Sequence, residues 1–291
     1  YFTSDGISRS LDVYYKTTRP LDAQGGDYSL ITPGASVRFG VPFTESDTVY
    51  FGAGVESTRI EAGKQLPLAY QQYADVFGTS SSSLPLTVGW TRDRRDSALV
   101  PNDGRYQRLN AEVGVAGDTR YVKANYQFQQ YIPLSKKYTL AFNTELGYGK
   151  GFGGRPYPIF KNFFGGGLGS VRGFEQGTLG PLSPVNNTSP VQQINIGGNQ
   201  SFAFNAEFIT PFPGAGNDRT LRMFGFFDVG NVANSEIAGS PGLFSELRAS
   251  VGIGLSWISP VGPLRFAIAT PIRKQPQDKI QRFQFQIGTS F

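Results

Sequence analysis

Apolar and polar residues alternate with a period of two along most of this chain. Only a strand sorts such a pattern onto two opposite faces. In the stretch 281–291, Phe283, Phe285, Ile287, Thr289 and Phe291 fall on one side. Arg282, Gln284, Gln286, Gly288 and Ser290 fall on the other. The stretch 246–257 sets Leu247, Ala249, Val251, Ile253, Leu255 and Trp257 against Arg248, Ser250, Gly252, Gly254 and Ser256. In 139–149, Leu140, Phe142, Leu146 and Tyr148 oppose Asn143, Glu145 and Gly147. Strands of about ten residues, apolar outside and polar inside, are the signature of a transmembrane β-barrel.

The pattern predicts about twelve such strands, at 7–17, 28–41, 48–61, 85–95, 104–116, 119–132, 138–149, 199–210, 220–230, 246–257, 262–270 and 281–291. Short connections at 42–47, 133–137 and 259–263 alternate with longer Gly-, Ser- and Pro-rich ones at 62–84, 150–198 and 231–245, as short turns on one rim and long loops on the other would require. Hydrophobic residues make up 39% of the 291, yet no run approaches the roughly 18–20 apolar residues of a membrane-spanning helix. The 37 glycines and the excess of Phe and Tyr over Trp suit a closed sheet better than helices. The expected fold is therefore all-β: one antiparallel transmembrane β-barrel domain over 1–291, with 150–198 folded inside it. The soluble alternative, a β-sandwich, would hide its apolar face in a core and has no need for aromatic residues at so many strand ends.

The chain contains no histidine and no cysteine, which excludes imidazole bases, imidazole metal centres, disulfides and thiolate sites. Ser, Asp and Lys are present, but no arrangement suggests a nucleophile with its base, so no enzyme and no cofactor are expected. The net charge of +5 reads as a solvated surface, or as attraction to anionic lipid. Residues 1–6 lack the basic and apolar regions of a signal peptide, so the chain is expected to be a mature or trimmed piece. The 92–96 cluster of Arg and Asp reads as a solvated rim, Trp90 and Trp257 as interface anchors, and Asn186-Asn187-Thr188 as a chance glycosylation triplet.

A structureless loop longer than about 15 residues usually has a task. The centre of 150–198 reads Phe163-Phe164-Gly165-Gly166-Gly167-Leu168-Gly169-Ser170-Val171-Arg172-Gly173-Phe174. No Lys-Ser/Thr pair follows its glycines and no helix pattern opens after them, which argues against a phosphate cradle. The glycines instead suit backbone that bends and packs in a confined interior. There Arg172 sits between apolar neighbours, and a buried guanidinium needs anions. Parity supplies two. Phe202, Phe204 and Phe208 face lipid on one strand, so Glu207 faces in; Leu221, Met223, Phe227 and Val229 face lipid on the next, so Asp228 faces in. The alternative is a surface arginine with unrelated interior acids.

Val171-Arg172-Gly173-Phe174, the 163–169 run before it and Gly177-Thr178-Leu179-Gly180-Pro181 after it resemble the sixth loop of the BamA family. That family forms the central barrel of the outer-membrane β-barrel assembly machinery. Asn205-Ala206-Glu207-Phe208, Phe227-Asp228-Val229-Gly230, Trp257-Ile258-Ser259-Pro260-Val261-Gly262-Pro263-Leu264 and 281–291 resemble the strands that follow. In the family the loop arginine contacts acids on the next two strands, which implies Glu207 and Asp228 here. BamA barrels have sixteen strands behind periplasmic POTRA domains, and Tyr1-Phe2-Thr3-Ser4-Asp5-Gly6 resembles the turn after the fourth. The resemblance therefore implies that four strands and the POTRA domains are missing here, unless twelve strands close by themselves.

The resemblance also implies a place in the bacterial outer membrane and a role in folding and inserting other β-barrels there. Its partners would be unfolded β-barrel clients, the lipid bilayer and accessory assembly lipoproteins, with no nucleic acid. The working part would be a weak seam at the last strand, with Phe283, Phe285, Ile287 and Phe291 on its lipid side. Gly288 would kink the strand there or, alternatively, serve as an interior packing site. Rival readings are a passive pore and a related barrel of the TamA or two-partner secretion type, which share the arginine-bearing loop.

Overall fold

In the computed structural model of this chain, described for residues 6–20, 26–185, 192–214, 220–260 and 262–288, the dominant element is a single antiparallel sheet of twelve strands. In chain order the strands and the helix are β1 (Ser8–Thr18), β2 (Asp27–Pro42), β3 (Asp47–Gln65), α1 (Leu68–Phe77), β4 (Ser80–Asp93), β5 (Gly104–Gly117), β6 (Tyr121–Pro133) and β7 (Thr139–Gly151). Three short segments follow inside the long loop: β8 (Gly173–Phe174), β9 (Leu182–Pro184) and β10 (Gln193–Asn195). The wall resumes with β11 (Gln200–Pro211), β12 (Leu221–Ala233), β13 (Arg248–Ser259) and β14 (Gly262–Arg273), and ends in the short β15 (Ile280–Gln281) and β16 (Phe283–Ile287). The wall order is β1-β2-β3-β4-β5-β6-β7-β11-β12-β13-β14-β16, so the chain meanders with one interruption, where the 152–199 loop leaves and returns.

The faces follow the alternation. Leu11, Val13 and Tyr15 on β1, Leu86 and Val88 on β4, Val251 and Ile253 on β13, and Phe283, Phe285 and Ile287 on β16 are all exposed on the outer face. Large apolar side chains in a continuous exposed belt suit hydrocarbon, where water cannot satisfy a backbone and only helices or barrel strands can cross. No helix among the described residues is long and apolar enough to cross a membrane. Among the described residues the two stacked sheets of a β-sandwich are not found; the inner face packs against the loop instead.

Three expectations need correction. First, 62–84 is not a plain loop: β3 runs to Gln65, α1 spans Leu68–Phe77 and β4 begins at Ser80. Tyr70, Tyr73 and Phe77 carry a helical spacing between Pro67 and Gly78, and Tyr70 is buried against Tyr28, Ile60, Ile159 and Ile196. Helical periodicity that short hides easily among period-two neighbours. Second, 281–291 is not one wall strand. Only Phe283–Ile287 pairs with β14, while Ile280–Gln281 leaves the wall to pair with Gly173–Phe174 of the loop. Phe291 lies outside the described residues, as do Thr289 and the 186–188 triplet. Third, the 92–96 cluster is more than a solvated rim. Arg92 Nε donates to Asp47 at 2.6 Å, Trp90 Nε1 reaches the same carboxylate at 3.2 Å, and Arg95 stacks over Tyr106 while holding Asp93 at 2.7 Å. Among the described residues β1 and β16 do not pair, and the twelve strands form a curved wall with two margins.

The belt has a direct consequence. Ile253 is 60% exposed on the outer face in mid-strand, whereas Asn125 lines an interior cavity. Ile253→Arg should lower folding stability in lipid vesicles by about 2–4 kcal/mol, and Asn125→Lys by much less. Denaturant titration of the full-length protein in vesicles measures both, and equal losses would mean that the outer face does not see lipid.

Candidate functional site

The site is built around one buried cation. β11 and β12 are in register so that Asn205 faces Asp228 and Glu207 faces Phe226, placing both acids on neighbouring rungs of the inner face. Between β7 and β11 the chain runs down this face, and its tip brings in Arg172, 1% exposed, against Asp228, 0% exposed. The guanidinium grips Asp228 in bidentate fashion, with Nε to Oδ2 at 2.7 Å and Nη2 to Oδ1 at 2.6 Å. Its Nη1 reaches Glu207 Oε1 at 2.5 Å. The backbone N–H of Arg172 adds a further bond to Asp228 Oδ2 at 3.0 Å.

A carboxylate stripped of water is stable only when its lone pairs are used. Asn205 Nδ2 donates to Asp228 Oδ1 at 2.9 Å and to the Ser170 carbonyl at 2.7 Å, so the same amide holds the acid and the loop. Asn143 Nδ2, on β7, orients Asn205 through its Oδ1 at 3.0 Å. Below the guanidinium lies the Phe226 ring, with Arg172 Cζ 3.6 Å from its centroid, a desolvated cation–π contact. Space for that ring and for Phe224 comes from β13, where a Cβ on Gly252 would run into Phe226 and one on Gly254 into Phe224. Arg265, on β14, also pairs with Glu207 and stacks over Phe224 at 4.5 Å, so one carboxylate serves two arginines.

The rest of the motif turns the chain toward the last strands. Gly173 has φ of +88°, and a Cβ there would lie 3.0 Å from that of Ala269, so both backbone and space require glycine. Gly173 and Phe174 pair with Gln281 and Ile280, and Val171, Phe174 and Leu179 close into a fully buried cluster.

A second anchor ties the loop to the opposite side of the wall. Lys161 Nζ lies 2.6 Å from Glu56 on β3 and 2.8 Å from Glu112 on β5. Its own carbonyl accepts from Lys123 Nζ at 2.9 Å and from Tyr157 Oη at 2.8 Å. Burial works against the ammonium, but Glu112, Tyr121 and Glu56 outweigh it and hold Lys161 above the ordinary lysine value. Glu236, from the 234–247 connection, accepts from the N–H groups of Gly151 and Tyr157. The loop thus fills much of the interior, leaving cavities of about 860 and 770 Å3 beside it.

The structure therefore brings Val171, Arg172, Gly173 and Phe174 together with Glu207 and Asp228. Gly288 stands apart. Its φ is +90°, no atom lies within 4 Å of the Cβ it lacks, and its N–H donates to the Pro263 carbonyl at 2.7 Å. It lies at the end of the β14–β16 ladder, with no described residue where a side chain would stand. Sequence reasoning did not single out Phe224, Phe226, Lys161, Arg265 or Gln284. The only signal for the two phenylalanines was that they occupy inward positions on β12, where an aromatic looks out of place unless a cation sits above it. Among the described residues no group of acidic side chains could hold a metal ion.

Comparison with known proteins adds the family. The model of the Omp85 superfamily domain matches residues 1–291. The outer membrane protein assembly factor BamA of Neisseria meningitidis is 37% identical over 324 aligned residues, which cover 100% of this chain and 40% of that protein. The BamA of Nitratidesulfovibrio vulgaris is 30% identical, with 91% of this chain and 32% of the relative covered. The chain thus spans well under half the length of either relative. The crystal structure of BamA from Haemophilus ducreyi lacking POTRA domains 1-3 superposes with a TM-score of 0.87 at 27% identity, over 98% of this chain and 59% of that one.

Removing one partner of the buried pair strands the other charge. Asp228→Asn should therefore cost about 3–5 kcal/mol of local stability and release the loop. Limited proteolysis of folded protein reports this as new cleavage within 152–199. A loop that stays as resistant as in the wild type would show that Asp228 does not hold it.

Proposed function

The chain belongs to the Omp85 superfamily and matches the BamA barrel over its whole length, and from that premise we propose that it acts in folding and inserting β-barrel proteins at a weak lateral seam. Its place is the bacterial outer membrane. The reading rests on the last strand. Ladders elsewhere in the wall hold ten or more residue pairs, whereas β14 and β16 share five, from Leu264–Ile287 to Ile268–Phe283, with one further backbone bond at each end, Ala269 to Arg282 and Gly288 to Pro263. Five residues at about 3.3 Å each make about 17 Å, short of an apolar belt roughly 25 Å tall. The last described pair of the ladder is Leu264–Ile287, and Gly288 just beyond it has a φ of +90°.

An unpaired strand edge in hydrocarbon costs several kcal/mol for each unsatisfied N–H or C=O group. A wall that keeps its last strand so lightly held presents an edge that an incoming strand can satisfy, which is β-augmentation. The mechanism needs no nucleophile, base or metal. Its driving force is backbone hydrogen bonding that the client lacks until it pairs, helped by bilayer that thins against the short margin. Phe283, Phe285 and Ile287 present the lipid side of that margin, and Gly288 limits its length. The arginine-anchored loop braces the interior while the margin moves. Clients would be unfolded outer-membrane β-barrel proteins, with accessory lipoproteins delivering them. A passive pore fits less well, because loop side chains from Tyr157 to Phe174 occupy the space through which solute would pass.

These 291 residues carry no cysteine, so once any cysteine elsewhere in the full-length protein is replaced, a single introduced thiol reports without background. With Phe285→Cys or Ile287→Cys in the full-length protein, and single cysteines along the terminal strand of a client caught in mid-assembly, disulfides should form at alternate client positions. Clients that assemble at the normal rate with no such cross-link would rule out templating at β16.

A further inference from the structure

We propose that Gln284 is the positioning residue through which the arginine-anchored loop holds the last strand against the wall. This deepens the seam reading above and rests on it for its functional meaning. The geometry stands independently.

Gln284 lies on the inner face of β16 and is 5% exposed, although it belongs to the most weakly paired strand of the wall. Its carboxamide works in both directions on the loop motif. Nε2 donates to the Phe174 carbonyl at 2.7 Å, and Oε1 accepts the Gly173 N–H at 3.3 Å. Only an uncharged amide can complete both bonds, since a carboxylate lacks the donor and an apolar side chain lacks both groups. Beside it, Gly173–Phe174 pairs with Ile280–Gln281, and the Glu175 N–H donates to the Lys279 carbonyl at 2.9 Å. The loop tip therefore adds a short inner ladder to the segment that leads into β16, and Gln284 is the side chain that extends this ladder into the strand itself.

The residue before the ladder is Arg172. One end of the four-residue motif is locked to β11 and β12 through Glu207 and Asp228, and the other end holds β15 and β16. Gly173 is the joint. Its φ of +88° turns the chain, and the missing Cβ lets the backbone lie against Ala269 of β14. A strand with five wall pairs depends heavily on such inner bonds. Release at Gln284 would free β16 without disturbing the arginine lock, so the two contacts have separable consequences.

The test compares Gln284→Met, which preserves length but makes neither bond, with Gln284→Glu, which keeps only the acceptor. Both are made in the full-length protein in lipid nanodiscs, with Asp228→Asn as the reference for a lost lock. Amide hydrogen exchange is followed at 280–287 and, separately, at β11 and β12. The expected result is exchange at 280–287 roughly tenfold faster for Gln284→Met, matching about 1.4 kcal/mol, with a smaller rise for Gln284→Glu and none in β11 or β12. Unchanged exchange at 280–287 overturns the proposal. So does an equal rise in all four strands, which would make Gln284 an ordinary packing residue. Client assembly by the same variants is scored separately. Faster exchange at 280–287 with an altered assembly rate supports both readings. Faster exchange with an unaltered rate leaves the Gln284 contact standing and removes strand exchange at β16 as the function.

Discussion

A peptide group in hydrocarbon can send its N–H and C=O only to another peptide group. Everything else in this chain follows from that constraint. It forces strands into neighbours, fixes an apolar outer face, and leaves every polar side chain of the wall to be dealt with on the inside. It also makes margins expensive, which is why the sparse pairing of β16 carries so much of the functional reading. The same unsatisfied groups that would be a defect in a storage or pore protein are useful in one that receives strands.

The interior solves the opposite problem. Charges there are cut off from bulk water, and the chain meets this with a loop that carries its own cations to fixed acids. Arg172 alone would be a liability; with Asp228 gripped twice, Glu207 once, Asn205 bridging and Phe226 beneath, the guanidinium and the Asp228 carboxylate are fully engaged. Deleting any member leaves a group that cannot be resolvated, so the cluster is stiff as a unit although a buried ion pair need not add much net stability.

Much of this was legible from one dimension. Parity alone sets Glu207 and Asp228 on the inner face, because a one-residue slip would turn Phe204 and Phe227 into a polar interior. The isolated charge in Val171-Arg172-Gly173-Phe174 signals a buried cation for the same reason. What parity cannot supply is distance. Gln284 meets Phe174 across 110 positions and Lys161 meets Glu112 across 49, and nothing local marks either residue. Helix α1 was missed because ten residues of helical spacing sit between two strands, and its stability comes from packing Tyr70 on the loop rather than from its own sequence. The division of 281–291 into two short strands was hidden for a related reason. Its alternation is unbroken, and only the loop tip, arriving from elsewhere, draws Ile280–Gln281 out of the wall.

The second anchor gives the plug a mechanical meaning. Lys161 grips β3 and β5, while Arg172 grips β11 and β12 eleven residues further along the chain. Strands β3 and β5 lie far from β11 and β12 in the order of the wall, and the stretch between these two cations links them directly across the inside. It is a cross-tie from one part of the wall to another. Two distant parts of the wall are therefore joined by a segment that never enters it.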